Sequence, residues 1–525
     1  MIVVIGFMGA GKTTVGRFLA ERLGVPFVDS DLVIEHEQQR SIREIFAEHG
    51  EPGFRDVEEA TIAALLEGPA CVLSLGGGAC GRAATRERLA THTVIYLHVE
   101  YDEAIVRVGR DEYRPMLHNP GLPGLYAGRL QLYADTATLT SYTTGRRVED
   151  IALEIIDRIV GRPELDGTRG ILVAPPGGSY RVHVGLGIAA QASRLAPALA
   201  DAERVVVLAG ANDPTAAIVA DCFGERGLPV HQLSVPAGAD AKTFATVGEL
   251  AGELTKLNCH RGDLLVGVGG EAVCDITGFL AATFHRGMPH ALVPTTLEAQ
   301  ADSSVGGKCG VDLGEQQNAL GVIHQPVVVV CDVAIAAANA ADFDAGMAEI
   351  VKHGLVADPA LLETLRTDRA AVLGRDPARL VELVRRSVEI KADIVTADER
   401  EEGGRRNLNY GHTFSRAFDH VPAAAASGNT LALGLMAAAH LSRRLGRLDD
   451  AGVAAHRDTL AALDLPTSVR VRLDDLDAAF ARDKKYRRGW RFVVLDRLGR
   501  AEAGVSPTPE DVAAALADLA LDAPD

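Results

Sequence analysis

The chain has 525 residues, of which 24% are charged and 47% hydrophobic, and its formal net charge is -18. That length exceeds one ordinary core and predicts about two to four domains of a folded soluble protein. The negative balance argues against a general nucleic-acid or acidic-membrane binder, while leaving room for a local basic pocket that takes a phosphorylated substrate.

Met1 to Ile5 is an apolar run of strand length that leads straight into Gly6-Phe7-Met8-Gly9-Ala10-Gly11-Lys12-Thr13. This is the full G-x-x-x-x-G-K-T spacing of a phosphate-binding loop, and a helical pattern from Thr14 to Leu23 follows it. Strand, glycine-rich loop and helix start present main-chain N–H groups to an anion, so a nucleotide phosphate is the first ligand to expect. So short an apolar segment predicts neither a signal peptide nor a membrane span. Leu431 to Leu441, also short of about 20 residues, predicts a buried helix. Seven scattered Cys without C-x-x-C pairing read as reduced thiols, which suits a cytoplasmic protein.

Cys71 to Leu75 and Thr93 to His98 are strand-like and alternate with helical stretches, predicting a parallel sheet with helices on its faces for residues 1–160. Residues 161–170 carry glycines, a proline and charges without periodicity, and read as a linker. A second α/β series occupies 171–341, with apolar runs at Arg204 to Leu208, Leu264 to Val268, Ala291 to Val293 and Val327 to Val330. From 342 to 520 long helical patterns dominate, including Leu361 to Leu373, Ala378 to Thr396 and Leu431 to Leu445. The cleft of this second, two-lobed unit is the expected ligand site.

In the first unit Lys12 is expected to reach the outer phosphates, with Gly9, Gly11 and Thr14 completing the loop and Thr13 holding Mg2+. Val28-Asp29-Ser30-Asp31 ends the second strand with two carboxylates. One suits magnesium and the other an acceptor hydroxyl, although aspartates at such strand ends also serve as helix caps. Arg55 can clamp a carboxylate bidentately, and Gly76-Gly77-Gly78 allows close main-chain approach to a small polar molecule. Arg114 and Arg129 lie in a Gly- and Pro-rich stretch suited to a closing lid.

These motifs, with Ser41 to Phe46, Gly50 to Arg55 and Arg114-Pro115, make residues 1 to 160 resemble shikimate kinase. The resemblance implies a P-loop kinase using ATP and Mg2+. It assigns Asp31, Arg55, Gly77, Gly78 and Arg129 to shikimate, Arg114 to the ATP side, and Thr13 and Asp29 to the metal.

The second unit holds Pro294-Thr295-Thr296-Leu297-Glu298-Ala299-Gln300-Ala301-Asp302-Ser303-Ser304-Val305-Gly306-Gly307-Lys308, a polar loop after a strand suited to a phosphorylated or hydroxyl-rich substrate. Gly269-Gly270 near Asp275 could receive a dinucleotide. Glu349 and His412 are plausible oxygen and nitrogen ligands for Zn2+, yet two ligands leave a catalytic site incomplete. Together with Met347 to Lys352, Lys391-Ala392-Asp393, Asp398 to Glu401, Asn409 to Phe414 and Asp483-Lys484-Lys485, these stretches make residues 170 to 510 resemble 3-dehydroquinate synthase.

That resemblance implies a Rossmann-like lobe and a helical lobe, NAD, and zinc or cobalt. It also implies conversion of a phosphorylated seven-carbon keto acid with loss of phosphate. It assigns Glu349 and His412 to the metal, Lys242, Gly269, Gly270 and Asp275 to the nucleotide, and Lys352 to catalysis. Arg286, Asp302, Lys308, Lys391, Arg405, Asn409 and Lys485 fall to the substrate. The chain departs from this pattern: Ser427-Gly428-Asn429 stands where the family has His-Gly-Glu, and Arg416 stands in place of a second His. Glu271 and Cys274 replace glycines, Ala239 replaces Glu, and Gln316-Gln317-Asn318 replaces Gly-Lys-Asn. His353 and His420 are the residues to weigh as substitute ligands.

Two expectations follow. One is a bifunctional enzyme acting on small-molecule substrates of the shikimate pathway. The other keeps the kinase but makes the second unit weak or inactive, serving assembly, for example as a homodimer.

Overall fold

Val3, Val4 and Ile5 of β1 (Ile2–Ile5) are at most 1% exposed, as expected for a strand covered on both faces. β1 sits at the centre of a parallel sheet with β2 (Phe27–Asp29), β3 (Val72–Ser74), β4 (Thr93–His98) and β5 (Leu139–Tyr142), in the order β2-β3-β1-β4-β5. The helix Lys12–Leu23 starts where Gly11, at φ 87°, turns the chain out of the loop, and it buries Val15, Leu19 and Ala20. The parallel sheet expected for this unit is present.

The structure is a computed structural model and describes residues 1–108, 121–160, 169–196, 202–314, 316–340, 342–476, 480 and 490–521. Arg114, Lys485, residues 161–168 of the linker and the side chain of Ala239 lie outside the described residues. Chain contacts divide the molecule into Met1–Pro163 and Glu164–Asp525.

In the second unit, β6 (Arg169–Val173) starts two residues earlier than the apolar pattern suggested, and it pairs antiparallel with β7 (Tyr180–Gly185). The other strands are parallel: β8 (Val205–Gly210), β9 (Val230–Val235), β10 (Leu264–Gly269), β11 (His290–Pro294) and, beyond the hairpin described next, β14 (Val328–Asp332). The order is β6-β7-β14-β11-β10-β8-β9. Chain connections leave β8 and β10 in opposite directions, so a crevice opens beyond their carboxyl ends, where open α/β sheets bind nucleotides.

β12 (Lys308–Leu313) and β13 (Gln316–Ile323) form a hairpin that the sequence pattern did not reveal. A second hairpin, β15 (Phe492–Arg497) with β16 (Arg500–Val505), lies within the stretch read as helical. The helix Thr430–Arg444 buries every residue from Leu431 to Ser442 and forms the spine of the helical lobe. Among the described residues no helix is long and apolar enough to cross a membrane.

Candidate active sites

In the first unit Asp29 serves two purposes at once. Its Oδ1 accepts the Asp31 N–H at 3.1 Å and caps the helix Ser30–Gln38, while its Oδ2 accepts Thr13 Oγ1 at 3.0 Å. The cap and the metal reading are therefore compatible. Lys12 Nζ folds back on its own loop, donating to the Gly6 and Phe7 carbonyls at 3.0 and 3.2 Å. A nucleotide would exchange these carbonyls for phosphate oxygens.

The Gly76–Gly78 turn is brought against the carboxylate pair by the buried Ser30, whose Oγ accepts the Gly76 N–H at 3.1 Å. A Cβ at residue 76 would lie 2.6 Å from Asp31 Oδ1 and 2.7 Å from Glu58 Oε1; one at residue 78 would lie 2.1 Å from an Arg55 nitrogen. A side chain at either position would displace these polar groups, so Asp31, Arg55, Glu58 and the turn share one small volume. Arg129 Nη1 donates to the Gly77 carbonyl at 2.8 Å, and Tyr133 OH donates to the same oxygen at 2.5 Å.

Arg55 holds Glu58 at 2.6 Å and Glu51 at 3.2 Å. Burial raises the Glu58 carboxyl above its ordinary range, and Arg55 partly offsets this. Any carboxylate that approached Arg55 would share the guanidinium with Glu58. Glu58, Ser30 and Tyr133 were not singled out from sequence, although the i,i+3 spacing of Arg55 and Glu58 was a usable signal. Arg107, donating to the Gly9 carbonyl at 3.3 Å and the Thr143 carbonyl at 2.6 Å, was also missed.

The second unit contains a cavity of about 510 Å³ lined by residues from both lobes. Asp302, from the turn Ala299–Ser303, is its hub: Lys352 Nζ lies 3.3 Å and Lys391 Nζ 3.0 Å from Oδ1. His353 Nε2 lies 3.1 Å from the same oxygen. Burial opposes charge on Asp302, but the two ammonium groups prevail and hold the carboxyl well below its usual range. Lys352 also pairs with Glu349, one turn earlier in the helix Phe343–Val356. Burial raises the Glu349 carboxyl, with Lys352 opposing the shift. Arg405 donates to the Glu399 and Gly306 carbonyls at 2.6 and 2.9 Å, and Asn409 and Lys308 both contact Glu401.

Glu349 Oε1 and His412 Nε2, the expected metal ligands, lie 3.5 Å apart. Ser427 is not among the cavity-lining residues; its Oγ accepts the Asn429 N–H at 3.4 Å. Asn429 caps the helix Thr430–Arg444 and donates to the Asp344 carbonyl at 2.8 Å. A different trio, Asp302, Glu349 and His353, brings one ligand atom each within 4.8 Å. In that trio burial lowers the His353 imidazole to about 4, and the Lys352 ammonium contacts both carboxylates.

In the crevice beyond the carboxyl ends of β8 and β10, Gly270 precedes the helix Glu271–Thr283, so Glu271 stands at its N-terminus. Lys242 Nζ contacts Asp275 at 2.5 Å and Glu271 at 2.8 Å. Burial raises the Asp275 carboxyl to about 7 despite Lys242. Arg286 does not line the cavity; it follows the helix Glu271–Thr283 in a left-handed conformation at φ 64°. Glu298 was not anticipated: it lines the cavity, and burial, followed by repulsion from Glu271, Glu349 and Asp302, raises its carboxyl well above the usual range. A lone Glu after Pro294-Thr295-Thr296-Leu297 was the available signal.

Residues 232–342 match the family model of the 3-dehydroquinate synthase N-terminal part, and 346–486 match that of its C-terminal part. The 3-dehydroquinate synthase of Mycolicibacterium vanbaalenii is 39% identical over 310 residues, which are 58% of this chain and 86% of that protein. The chain belongs to the 3-dehydroquinate synthase family. Residues 8–160 match the shikimate kinase model, so a shikimate-kinase-like unit is fused to the family's own unit. The 3-dehydroquinate synthase of Nocardia farcinica is 40% identical over 312 residues, 58% of this chain and 83% of that protein. A solved 2-epi-5-epi-valiolone synthase of Streptomyces hygroscopicus, with NAD+ and Zn2+ bound, is 26% identical with a TM-score of 0.57. The alignment covers 65% of this chain and 96% of that one.

Proposed function

We propose that residues 1–160 transfer the γ-phosphoryl group of ATP to the 3-hydroxyl of shikimate, and that the second unit has weak or no synthase turnover. The convergence of the phosphate loop, the Thr13–Asp29 pair and the Asp31–Arg55–Gly78 cluster carries the first half. The shikimate hydroxyl oxygen bonds to the γ-phosphorus, the bond to the ADP oxygen breaks, and Asp31 accepts the hydroxyl proton. Arg55 and Arg129 orient the acceptor, while Lys12 follows the phosphate charge. Thr13 and Asp29 fit a hard cation, and Mg2+ bound there would neutralise charge on the phosphates.

In the second unit zinc or cobalt fits poorly. Glu349 and His412 lack a third ligand at Ser427, and a cation at the Asp302–Glu349–His353 trio would meet the Lys352 and Lys391 ammonium groups. Glu271 places negative charge at the helix N-terminus where a pyrophosphate would bind and neutralises Lys242, which disfavours NAD. The fully bifunctional reading is favoured by the retained gathering of Asp302, Lys308, Lys352, Lys391, Arg405 and Asn409 around one cavity. A non-catalytic unit would serve assembly, as a homodimer.

The kinase half is tested by ADP formation from the full chain with MgATP. Turnover that depends on shikimate is expected; ADP formation indifferent to shikimate in a folded, magnesium-supplied preparation would overturn it.

A further inference from the structure

Tyr133 stands one helical turn after Arg129 in the helix Leu122–Thr136, so both side chains leave the same face. That face meets the Gly76–Gly78 turn, where both donate to the Gly77 carbonyl: Arg129 Nη1 at 2.8 Å and Tyr133 OH at 2.5 Å. Two donors fill both lone pairs of that oxygen. Arg129 also hydrogen-bonds Tyr133 itself, which closes a triangle of guanidinium, phenol and carbonyl.

The two donors differ in freedom. Tyr133 is 1% exposed, with its ring centre 5.2 Å from that of Tyr96 on β4. Burial, opposed by Arg129, raises its phenol to about 12, so it is a fixed neutral donor. Arg129 is only half-buried, and its guanidinium has further N–H groups on a flexible stem. The carbonyl they share lies where two parts of the site meet. A Cβ at residue 77 would lie 3.6 Å from the Gly6 carbonyl oxygen and 3.8 Å from the main-chain nitrogen of Met8, both in the phosphate loop, while the adjoining Gly78 abuts Arg55. A shift of this turn would move the Arg55 cluster relative to the phosphate loop.

We infer that Tyr133 is a positioning residue that frees Arg129 to bind the carboxylate of the phosphoryl acceptor. When Arg129 turns from the Gly77 carbonyl to that carboxylate, Tyr133 keeps the carbonyl hydrogen-bonded and the turn in place. Without the Tyr133 hydroxyl, the same movement would strip the carbonyl of its donors, and an unpaired acceptor oxygen opposes binding. The inference rests on the kinase reading of the first unit and gives a role to a residue that reading does not use.

Tyr133→Phe removes the hydroxyl and keeps the ring. Shikimate binding to the full chain, measured by calorimetry with MgADP present, should weaken about 5- to 100-fold in this variant, while ADP affinity stays within about twofold. In steady state the loss should fall on the shikimate KM and leave kcat within about threefold. The deciding comparison is made in the Arg129→Ala background. There the Gly77 carbonyl gives up no donor when shikimate binds, so adding Tyr133→Phe should change shikimate affinity by less than about twofold. Unchanged shikimate affinity in Tyr133→Phe, an equal loss of ADP affinity, or the same loss in the Arg129→Ala background overturns this inference and leaves the kinase reading standing. A parent chain that does not bind shikimate overturns both.

Discussion

Asp31→Asn should lower shikimate-dependent ADP formation by about 10²- to 10⁴-fold, the range for losing a positioned general base. The substitution is isosteric, and the cap at this helix is made by the Asp29 carboxylate to the residue 31 main-chain N–H, which Asn retains. Folding and ATP affinity should therefore be preserved, and the loss should fall on kcat. A kcat within threefold of the parent would remove Asp31 from the proton path.

Arg55→Ala should damage shikimate binding by about 2 to 5 kcal/mol, the cost of breaking a buried charge-assisted contact, while ATP affinity changes little. Part of that loss is structural, because Glu58, only 2% exposed, is left without its cation. Arg55→Lys separates the two effects: it keeps a charge beside Glu58 but cannot offer the planar fork. It should be nearly as stable as the parent by thermal unfolding, yet still bind shikimate at least about 10-fold more weakly. Equal shikimate affinity in Arg55→Lys and the parent would show that Arg55 serves Glu58 alone.

What was legible in the sequence follows from how local each feature is. The phosphate loop is contiguous, so Gly9, Gly11, Lys12 and Thr13 could be named without a fold. The buried strands β1, β4, β8, β10, β11 and β14 were legible because apolar runs bounded by glycine and proline have few other outcomes. β13 was not: Gln316-Gln317-Asn318 shows no alternation, and most of the strand is exposed, so pairing with β12 alone defines it.

The second cavity was half legible. Asp302, Lys352 and Lys391 could be assigned through the family resemblance, but not their mutual contacts, since the hub joins residues 50 and 89 positions apart. Ser427 and Arg416 are visible in the sequence as side chains without imidazole chemistry. That Asn429 caps a helix, and that Arg416 has no partner among the described residues, required coordinates. Glu298 escaped notice because a single carboxyl after a strand carries no periodic signal, and only its neighbours Glu271, Glu349 and Asp302 make it unusual.

The account stands or falls on the division of labour between a working kinase and a second unit without metal-dependent turnover. The most direct measurement is phosphate release by the full chain, supplied with NAD and zinc or cobalt, from the phosphorylated seven-carbon keto acid used by the synthase family, with bound metal quantified in the same preparation. The account predicts substoichiometric metal and release far below about 1 per second, the low end of ordinary enzyme turnover. Release at about 1 per second or faster, with one metal ion per chain, would contradict it and would require a third ligand and a proton path other than Ser427 and Arg416.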